Sequence, residues 1–168
     1  MDLKNYTNAE LYDIIEKMED HGKIGDAFEE LMKRSSDDEL VKFIDDMIYI
    51  EAVPYALGEL MERSSAKAYD MGMDILINNK GDQFLQACVW STCYDFDDIK
   101  TVTLMTQRKT TMEWSLLETI LLSMYNYRTD IFPADFKKLI IDSYNIMSEE
   151  KKSELSEMFA DFSMKYQT

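Results

Sequence analysis

Few side chains in this sequence could carry out covalent chemistry, and their spacing argues against it. His21 is the only histidine in 168 residues, and it stands between two acidic residues and Gly22. A protonated imidazole there would complement the C-terminus of a preceding helix. Because no second histidine and no cysteine pair at ligand spacing accompanies it, the sequence predicts no zinc site and no cofactor. We therefore interpret His21 as structural.

The two cysteines, Cys88 and Cys93, are the only other candidate nucleophiles of note. They lie five residues apart, so on a helix their side chains point about 140° away from each other and a disulfide between them is disfavoured. His21 is the only imidazole that could activate either thiol, and the chain has no G-x-S-x-G elbow and no glycine-rich phosphate loop. We predict that both cysteines lie in the core and that the protein is not an enzyme.

A run of acids, Asp95-Phe96-Asp97-Asp98, could in principle hold Mg²⁺ or Ca²⁺ through its carboxylates. The run lacks the glycine turn and the closing glutamate of an EF-hand loop. Acids are also favoured in the first turn of a helix, where they complement the helix dipole. We interpret the run as an acid cluster at a helix start, and no metal is predicted.

Acidic residues dominate the electrostatics of the whole chain. Asp and Glu number 33 against 18 Lys and Arg, which gives a formal net charge of -15. That charge repels phosphate backbones and anionic membrane surfaces, so binding to nucleic acid or membranes is not predicted. It suits either simple solubility or a basic protein partner. The polar N-terminal sequence and the lack of a long apolar run predict a cytoplasmic protein.

The elements that must position these residues are helices organised around a repeat. The segment 27–36 recurs 29 residues later as 56–65, with seven of ten positions identical. A unit this short cannot bury its own apolar face, so neighbouring units must stack. Apolar residues at helical spacing continue across both hairpins. The sequence predicts an all-α fold, a short HEAT-like α-solenoid of about four antiparallel helix hairpins plus terminal helices.

The whole chain, 1–168, is predicted to be one helical-repeat domain. The predicted repeat units are about 24–52, 53–81, 82–109 and 110–147, with capping helices at 7–21 and 148–166. Capping boxes mark two helix starts, at Thr7 and Ser36. The apolar stripe of the helix after Ser36 is predicted to run through Met47 to Ile48.

The third unit departs from the repeat. Strict spacing would place four polar residues at apolar positions, namely Gln86, Asp98, Thr101 and Thr106. The third hairpin is therefore predicted to have a shifted register or one exposed face. Interior glycines at 58 and 72 are interpreted as close helix approaches, or as merely tolerated.

The helix pairs of residues 24–147 resemble HEAT-like repeats, although the unit is shorter than the usual HEAT length. In such stacks one helix of each hairpin commonly lines a concave binding surface, and we assign that role to the second helices. The acidic candidates for partner binding on these helices are Asp45, Asp46, Asp70, Asp74, Asp97 and Asp98. Since Asp45 and Asp74 are related by the 29-residue step, they are expected to form one row. A solvated helix face and a docking ridge both explain such a row.

Aromatic residues near these acids are the candidate interface anchors, since anchors are typically Tyr, Trp and Arg. They are Tyr49, Trp90, Tyr94 and Trp114. Each of them also suits a position in the core.

In size, acidity, helicity and lack of catalytic groups, the chain resembles bacterial immunity proteins of the polymorphic and contact-dependent toxin systems. The resemblance implies one-to-one binding that blocks a basic toxin domain, such as a nuclease. A HEAT-like scaffold or adaptor is the alternative. A nucleic-acid-processing helical-repeat enzyme is disfavoured, because the chain has only four arginines and no basic groove to hold a phosphate backbone.

Overall fold

The chain folds into helices. The computed structural model describes residues 3–17, 21–126 and 132–166, and within these ranges it has ten α-helices, two short 3-10 helices and no strand. The α-helices are α1 Asn8–Lys17, α2 His21–Arg34, α3 Asp37–Asp46, α4 Val53–Arg63, α5 Ser65–Ile77, α6 Gln83–Phe96, α7 Asp98–Met105, α8 Trp114–Asn126, α9 Ala134–Asn145 and α10 Glu149–Tyr166. The 3-10 helices are Leu3–Asn5 and Ile50–Ala52. The predicted all-α class is confirmed, and the solenoid remains a prediction.

The chain divides into two compact units, Met1–Ala68 and Tyr69–Thr168, with the boundary inside α5. We call them the first and second units. Each buries its own apolar side chains: in the first unit these include Leu11, Leu40, Leu57 and Leu60, and in the second Val89, Trp90, Leu117 and Phe136. The single-domain assignment and the repeat boundaries stay predictions.

Both predicted capping boxes are present in the first unit. The Thr7 amide donates to the Glu10 carboxylate at 2.7 Å, and the Glu10 amide donates to the Thr7 hydroxyl at 3.3 Å. Ser36 and Glu39 repeat this exchange at 2.7 and 3.4 Å. The two boxes lie 29 residues apart in sequence. The repeat therefore extends further toward the N-terminus than the sequence analysis placed it, and α1 corresponds to α3.

A second repeated feature is an arginine near the C-terminal end of a helix that donates hydrogen bonds to backbone carbonyls of an earlier segment. Arg34, in the last turn of α2, donates to the carbonyl oxygens of Leu3, Lys4 and Tyr6 at 3.2, 3.1 and 2.6 Å. Its Nε also donates to Glu30, one turn earlier, at 2.8 Å. These carbonyls lie at the end of a helical segment, where backbone partners run out: the Leu3 oxygen also accepts from the Tyr6 amide at 3.0 Å, and the guanidinium supplies further donors. We call this arrangement an arginine clasp.

The clasp occurs again 29 residues later. Arg63, in the last turn of α4, donates to the carbonyl oxygens of Met32, Lys33 and Ser35 at 3.4, 2.9 and 2.6 Å. Its Nε donates to Glu59 at 2.9 Å. This contact explains why both copies of the repeated segment have an arginine at this position. Arg34 caps the 3-10 helix Leu3–Asn5, and Arg63 caps the end of α2.

The second unit contains a different arginine. Arg108, just after α7, is only 4% exposed. Its Nη1 donates to the carbonyl oxygen of Leu76 and, at 2.9 Å, to Gln86 Oε1. Its Nη2 donates to Asn79 Oδ1, and its Nε donates to the carbonyl oxygen of Thr110 at 2.9 Å. Burial lowers the pKa of Arg108 to about 10. Gln86, a polar residue at an apolar repeat position, is thereby buried and satisfied.

The third hairpin was predicted to have a shifted register or one exposed face, but its buried positions keep the 29-residue step. α7 begins at Asp98, four residues beyond the position that the 29-residue step gives from the start of α5 at Ser65. Even so, Thr101, Val102 and Met105 are buried at the positions that the 29-residue step gives from Gly72, Met73 and Leu76, so the predicted shift of register was wrong for the core. Thr101 is the polar residue among them. Its hydroxyl donates to the carbonyl oxygen of Cys93 at 3.0 Å and lies 3.0 Å from the Tyr69 hydroxyl. Asp98 itself stays partly exposed in the first turn of α7.

The end of α3 differs from the prediction. The helix ends at Asp46, and Met47 takes a left-handed conformation with a φ of 48°. Ile48, predicted to continue the apolar stripe, lies outside the helix and is 74% exposed. The predicted stripe was wrong at this point because the spacing of apolar residues does not indicate where the backbone leaves the helix.

The glycines divide by their surroundings. A Cβ at Gly25, in α2, would lie 2.8 Å from the Tyr55 hydroxyl, so this glycine permits a close approach. A Cβ at Gly58 would meet nothing within 4 Å, so that position is a tolerated glycine. Of the described ranges, none contains a helix with the length and apolar content needed to cross a membrane.

Candidate functional site

The candidate nucleophiles do not come together with a base. Cys93 is buried, and burial raises the pKa of its thiol to about 12. Cys88 is exposed, which corrects the prediction that both cysteines are core residues. Its five-residue offset turns it to the other side of α6. His21 is the first described residue of α2, and because residues 18–20 lie outside the described ranges, its predicted position at the end of the first helix stays a prediction.

The acids of the second unit are used within that unit. Asp74 accepts from the Lys80 ammonium at 2.5 Å and from the Asn78 amide at 2.6 Å. The hydrogen bond from Lys80 is the main cause that lowers the pKa of Asp74. Asp70 lies 3.9 Å from the Lys100 ammonium. These contacts give both acids a structural partner, which weakens the case for a free acidic row.

The Asp95–Asp98 run is a helix cap, as its interpretation from the sequence required. Asp97 is the N-cap of α7, and its carboxylate accepts from the Lys100 amide at 2.9 Å. Asp98 accepts from the Ile99 amide at 2.7 Å. The run lines an open cavity of about 530 Å³ together with Tyr94. In the described part of the chain, no cluster of three or more metal-ligating side chains occurs.

The aromatic candidates of the second unit lie inside it. Trp90 is 0% exposed, stacks on Tyr94 and Phe136, and donates from Nε1 to the Ser123 hydroxyl at 3.1 Å. Trp114 is half-buried at the start of α8. In this conformation Trp90 has no surface with which to touch a partner, so it could influence binding only through its neighbours.

The first unit has a groove that joins aromatic and charged side chains. Its cavity measures about 300 Å³. Its lining residues are Tyr12, Glu39, Lys42, Phe43, Asp46, Ile48 and Tyr49. We call it the α3 groove, because most of these residues lie on α3 or directly follow it. It brings together Asp46 and Tyr49, two of the residues predicted from the sequence.

The local fold explains why these side chains converge. On α3, the positions 39, 42, 43 and 46 follow one another at i, i+3, i+4 and i+7, so they share one helix face. Tyr12 reaches the groove from α1. The left-handed Met47 turns the chain out of α3, and Ile48 and Tyr49 then form the far rim. The Tyr49 ring is 6.3 Å from that of Phe28.

The groove is biased toward negative charge. The Glu39 carboxylate accepts from the amide and hydroxyl of Ser36, and the amide hydrogen bond is the main cause that lowers the pKa of Glu39. Glu39 is therefore ionised and fixed in place. Burial first, then Tyr49 and Glu39 nearby, raise the pKa of Tyr12. The effect of Tyr49 and Glu39 on the pKa of Tyr12 is consistent with the three side chains lining the same groove.

Two aspartates stand at the negative end of the α3 dipole. Asp45 and Asp46 are exposed in the last turn of α3, which has no basic residue. No cation pairs with either of them within the described ranges. Acids at a helix C-terminus oppose the dipole and cost a few tenths of a kcal/mol, up to about 1 kcal/mol, each. This placement does not help the helix, and it concentrates negative potential beside the groove.

Comparison with protein-family models, with curated proteins and with solved structures finds no match for this chain. Its function has to be argued from the groove and its charge.

Five lining residues of the α3 groove were not predicted as site residues from the sequence: Tyr12, Glu39, Lys42, Phe43 and Ile48. Phe43 and Ile48 were assigned to a buried stripe, and Tyr12 sits beside a stripe on a different helix. The available signal was the pair of acids, Asp45 and Asp46, which a helix interior followed by a C-terminus disfavours. The remaining predicted site residues, Asp70, Asp74, Trp90, Tyr94, Asp97, Asp98 and Trp114, belong to the second unit, and their roles in binding stay predictions.

Proposed function

We propose that the protein is an acidic protein-binding module that inhibits a basic partner by covering a working surface of that partner. The observation that carries the proposal is the end of α3, where Asp45 and Asp46 lie unpaired beside an aromatic groove. A charge arrangement that opposes its own helix dipole gains free energy when a cation arrives. The formal net charge of -15 extends the same preference over the surface as a whole.

The two components of the site would serve different stages of binding. Long-range attraction between the acidic surface and a basic partner would speed association. Aromatic and apolar contacts, from Tyr49 and Ile48 in particular, would set the lifetime of the complex. Ile48 is 74% exposed in the free protein, so its burial by a partner removes apolar area from water.

The more specific form of the proposal is that the partner is a bacterial toxin domain and the protein its cytoplasmic immunity protein. Its support is the resemblance in size, acidity and helicity, together with a groove suited to basic side chains. A toxin that acts on nucleic acid has a basic cleft, and carboxylates can occupy the place of phosphates there. One-to-one binding is expected.

The contacts of the predicted acidic residues reduce the number that are free to bind a partner. Asp70 and Asp74 have basic neighbours within their own unit, whereas Asp45 and Asp46 do not. We therefore expect the docking role to fall mainly on α3.

The test begins with the partner. Affinity capture from the native host with mass spectrometry, together with inspection of the adjacent reading frame for a toxin-like domain, should give one basic protein. With the purified partner, Asp45→Lys should slow association about tenfold at low salt and flatten its salt dependence. Glu157→Lys, on exposed α10 in the second unit, is the control of equal charge change.

Two results would contradict the proposal. The first is an association rate that Asp45→Lys and Glu157→Lys alter equally, because net charge alone would then explain the attraction. The second is binding to several unrelated partners at micromolar affinity, which is the behaviour of a scaffold or adaptor.

A further inference from the structure

We infer that the α3 groove is a pocket for one arginine side chain of the basic partner. The inference rests on the proposed function, since it names what the partner inserts. It joins three features of the groove: aromatic side chains, two carboxylates on one helix face, and an open volume of about 300 Å³. The aromatic rings of the other cavity described above, Tyr94 and Phe96, both belong to α6.

The aromatic residues of the groove come from three places in the first unit. Tyr12 belongs to α1, Phe43 to the middle of α3, and Tyr49 to the segment after α3. A cation over an aromatic face is attracted by the ring quadrupole, and a planar guanidinium can also stack on it. Rings drawn from separate elements can line more than one side of such a group.

The carboxylates stand at the two ends of this aromatic lining. Glu39 and Asp46 are seven residues apart on one face of α3, which places their backbones roughly 10 Å apart along the axis. Phe43 lies between them. Glu39 is held by Ser36 and keeps one carboxylate oxygen outside that exchange, while Asp46 has no cation partner within the described ranges. A guanidinium near the Asp46 end would find a carboxylate for paired hydrogen bonds and a ring for stacking.

Arginine fits this lining better than lysine. A guanidinium is planar, weakly hydrated and forked, so it can stack and pair at once, whereas an ammonium is a strongly hydrated point charge. Lys42, on the same face of α3, already offers an ammonium, and it forms no ion pair within the described ranges. Lys42 therefore opposes an incoming cation without neutralising the groove, and its removal should strengthen binding.

The direct test uses a small probe. The probe is an N-acetylated, C-amidated Gly-Gly-Arg-Gly-Gly peptide, and its matched control has citrulline in place of arginine, which keeps the shape and removes the charge. Binding is followed by NMR, through the ring resonances of Tyr12 and Tyr49. We expect the arginine peptide to shift both rings saturably and to bind at least about fivefold tighter than the citrulline peptide. A lysine peptide should bind more weakly than the arginine peptide.

Variants then assign the effect to the groove. Asp46→Asn should weaken binding of the arginine peptide roughly fivefold or more. Asp45→Asn is the matched control, because it removes the same charge one residue away and Asp45 does not line the groove. Lys42→Met should tighten binding about twofold to fivefold. All three positions are exposed, so folding should be preserved, and circular dichroism checks this.

Clear outcomes would overturn the inference. Equal binding of the arginine and citrulline peptides would show that the groove does not select the cation. Equal effects of Asp46→Asn and Asp45→Asn would show diffuse attraction and no pocket. If the arginine peptide binds as expected but no single basic partner exists, the pocket is supported and the proposed inhibitory function is contradicted. If a partner binds in an Asp45-dependent manner but the peptide shifts neither ring, the proposed function is supported and the pocket is contradicted.

Discussion

The two units of the molecule use arginine in opposite ways. In the first unit, Arg34 and Arg63 clasp the end of a preceding segment, each with a glutamate one turn away and with side chains 26% and 29% exposed. In the second unit, Arg108 is almost fully buried and its described partners are carbonyl and amide oxygens, without a carboxylate. The clasp is repeated at a 29-residue step and binds the end of one preceding segment, whereas Arg108 binds oxygens from several segments of the second unit.

The difference shows how a repeat can be abandoned within one chain. The clasp needs only a fixed spacing, so it can be copied with every 29-residue step. The next 29-residue step from Arg63 gives Thr92, within α6, and a threonine cannot form the clasp. Arg108 instead satisfies the end of α5 from outside the repeat, and Gln86 and Asn79 are recruited to it. The irregular unit thus depends on one shared group, and this can be tested.

The largest effects are expected from truncating the stripe position that both units share. Leu31, Leu60 and Val89 are related by successive 29-residue steps and all are buried. Leu31→Ala and Leu60→Ala should each lower the free energy of unfolding by roughly 2 to 5 kcal/mol. Val89→Ala should cost less, because one carbon fewer is removed. Urea denaturation measures these values, and a Leu60→Ala cost below that of an exposed-site substitution would contradict the shared core position.

Loss of Arg108 is the next largest expected effect. Arg108→Met removes a buried donor from the Leu76 carbonyl oxygen and from Gln86 Oε1, so we expect a loss of about 2 to 3 kcal/mol in the free energy of unfolding. Lys109→Met is the control, because this neighbouring side chain is exposed. Adding Gln86→Leu to Arg108→Met should recover part of the loss. A variant as stable as the control would show that Arg108 is not shared in the way described.

The clasps should have smaller and mutually similar effects. Arg34→Ala and Arg63→Ala each remove several hydrogen bonds that water can partly replace, so each should cost about 1 to 2 kcal/mol. Lys33→Ala is the control, because Lys33 forms an exposed i,i+4 pair with Glu29, and such pairs contribute little. Thermal or urea unfolding gives the comparison. Strongly unequal costs for the two arginines would break their equivalence.

The smallest effect is a pH dependence from the capping boxes of the first unit. The hydrogen bond from Ser36 lowers the pKa of Glu39 in the folded protein. A carboxyl group with a lowered folded pKa contributes stability that is present above its unfolded pKa, about 4.3, and is lost as the pH falls through the folded value. Glu39→Gln keeps an acceptor but cannot titrate, so the variant should lose less stability than the unmodified protein between about pH 5.5 and 3.5. Glu10→Gln should behave in the same way, and unchanged pH dependence in both would contradict this.

Much of the fold was predictable because it is local. The capping boxes at Thr7 and Ser36 and the buried stripes of the repeated helices follow from spacing alone, and the structure contains them. The register shift expected from polar residues at apolar positions was wrong, because Gln86 and Thr101 occupy those positions as buried, hydrogen-bonded side chains. The role of Arg34 and Arg63 was not predicted, because their partners lie about one repeat away in the chain and are backbone carbonyls that no residue type reveals.

The groove was only partly predictable for a related reason. Asp46 and Tyr49 were chosen for their chemistry, but their meeting depends on the turn at Met47, a residue type that rarely takes a left-handed conformation. The apolar spacing in the sequence continues through Ile48, so this residue at the rim of the groove was predicted to lie in the core. Tyr12 was missed because it comes from another helix.

The two thiols of α6 have a practical consequence. Cys88 is open to solvent, while Cys93 is buried with a pKa raised to about 12. A maleimide added to the native protein should therefore modify one sulfur promptly and the other only when α6 opens. The slow second addition would record the opening rate of the irregular unit, with Cys88 serving as an internal standard for reagent access.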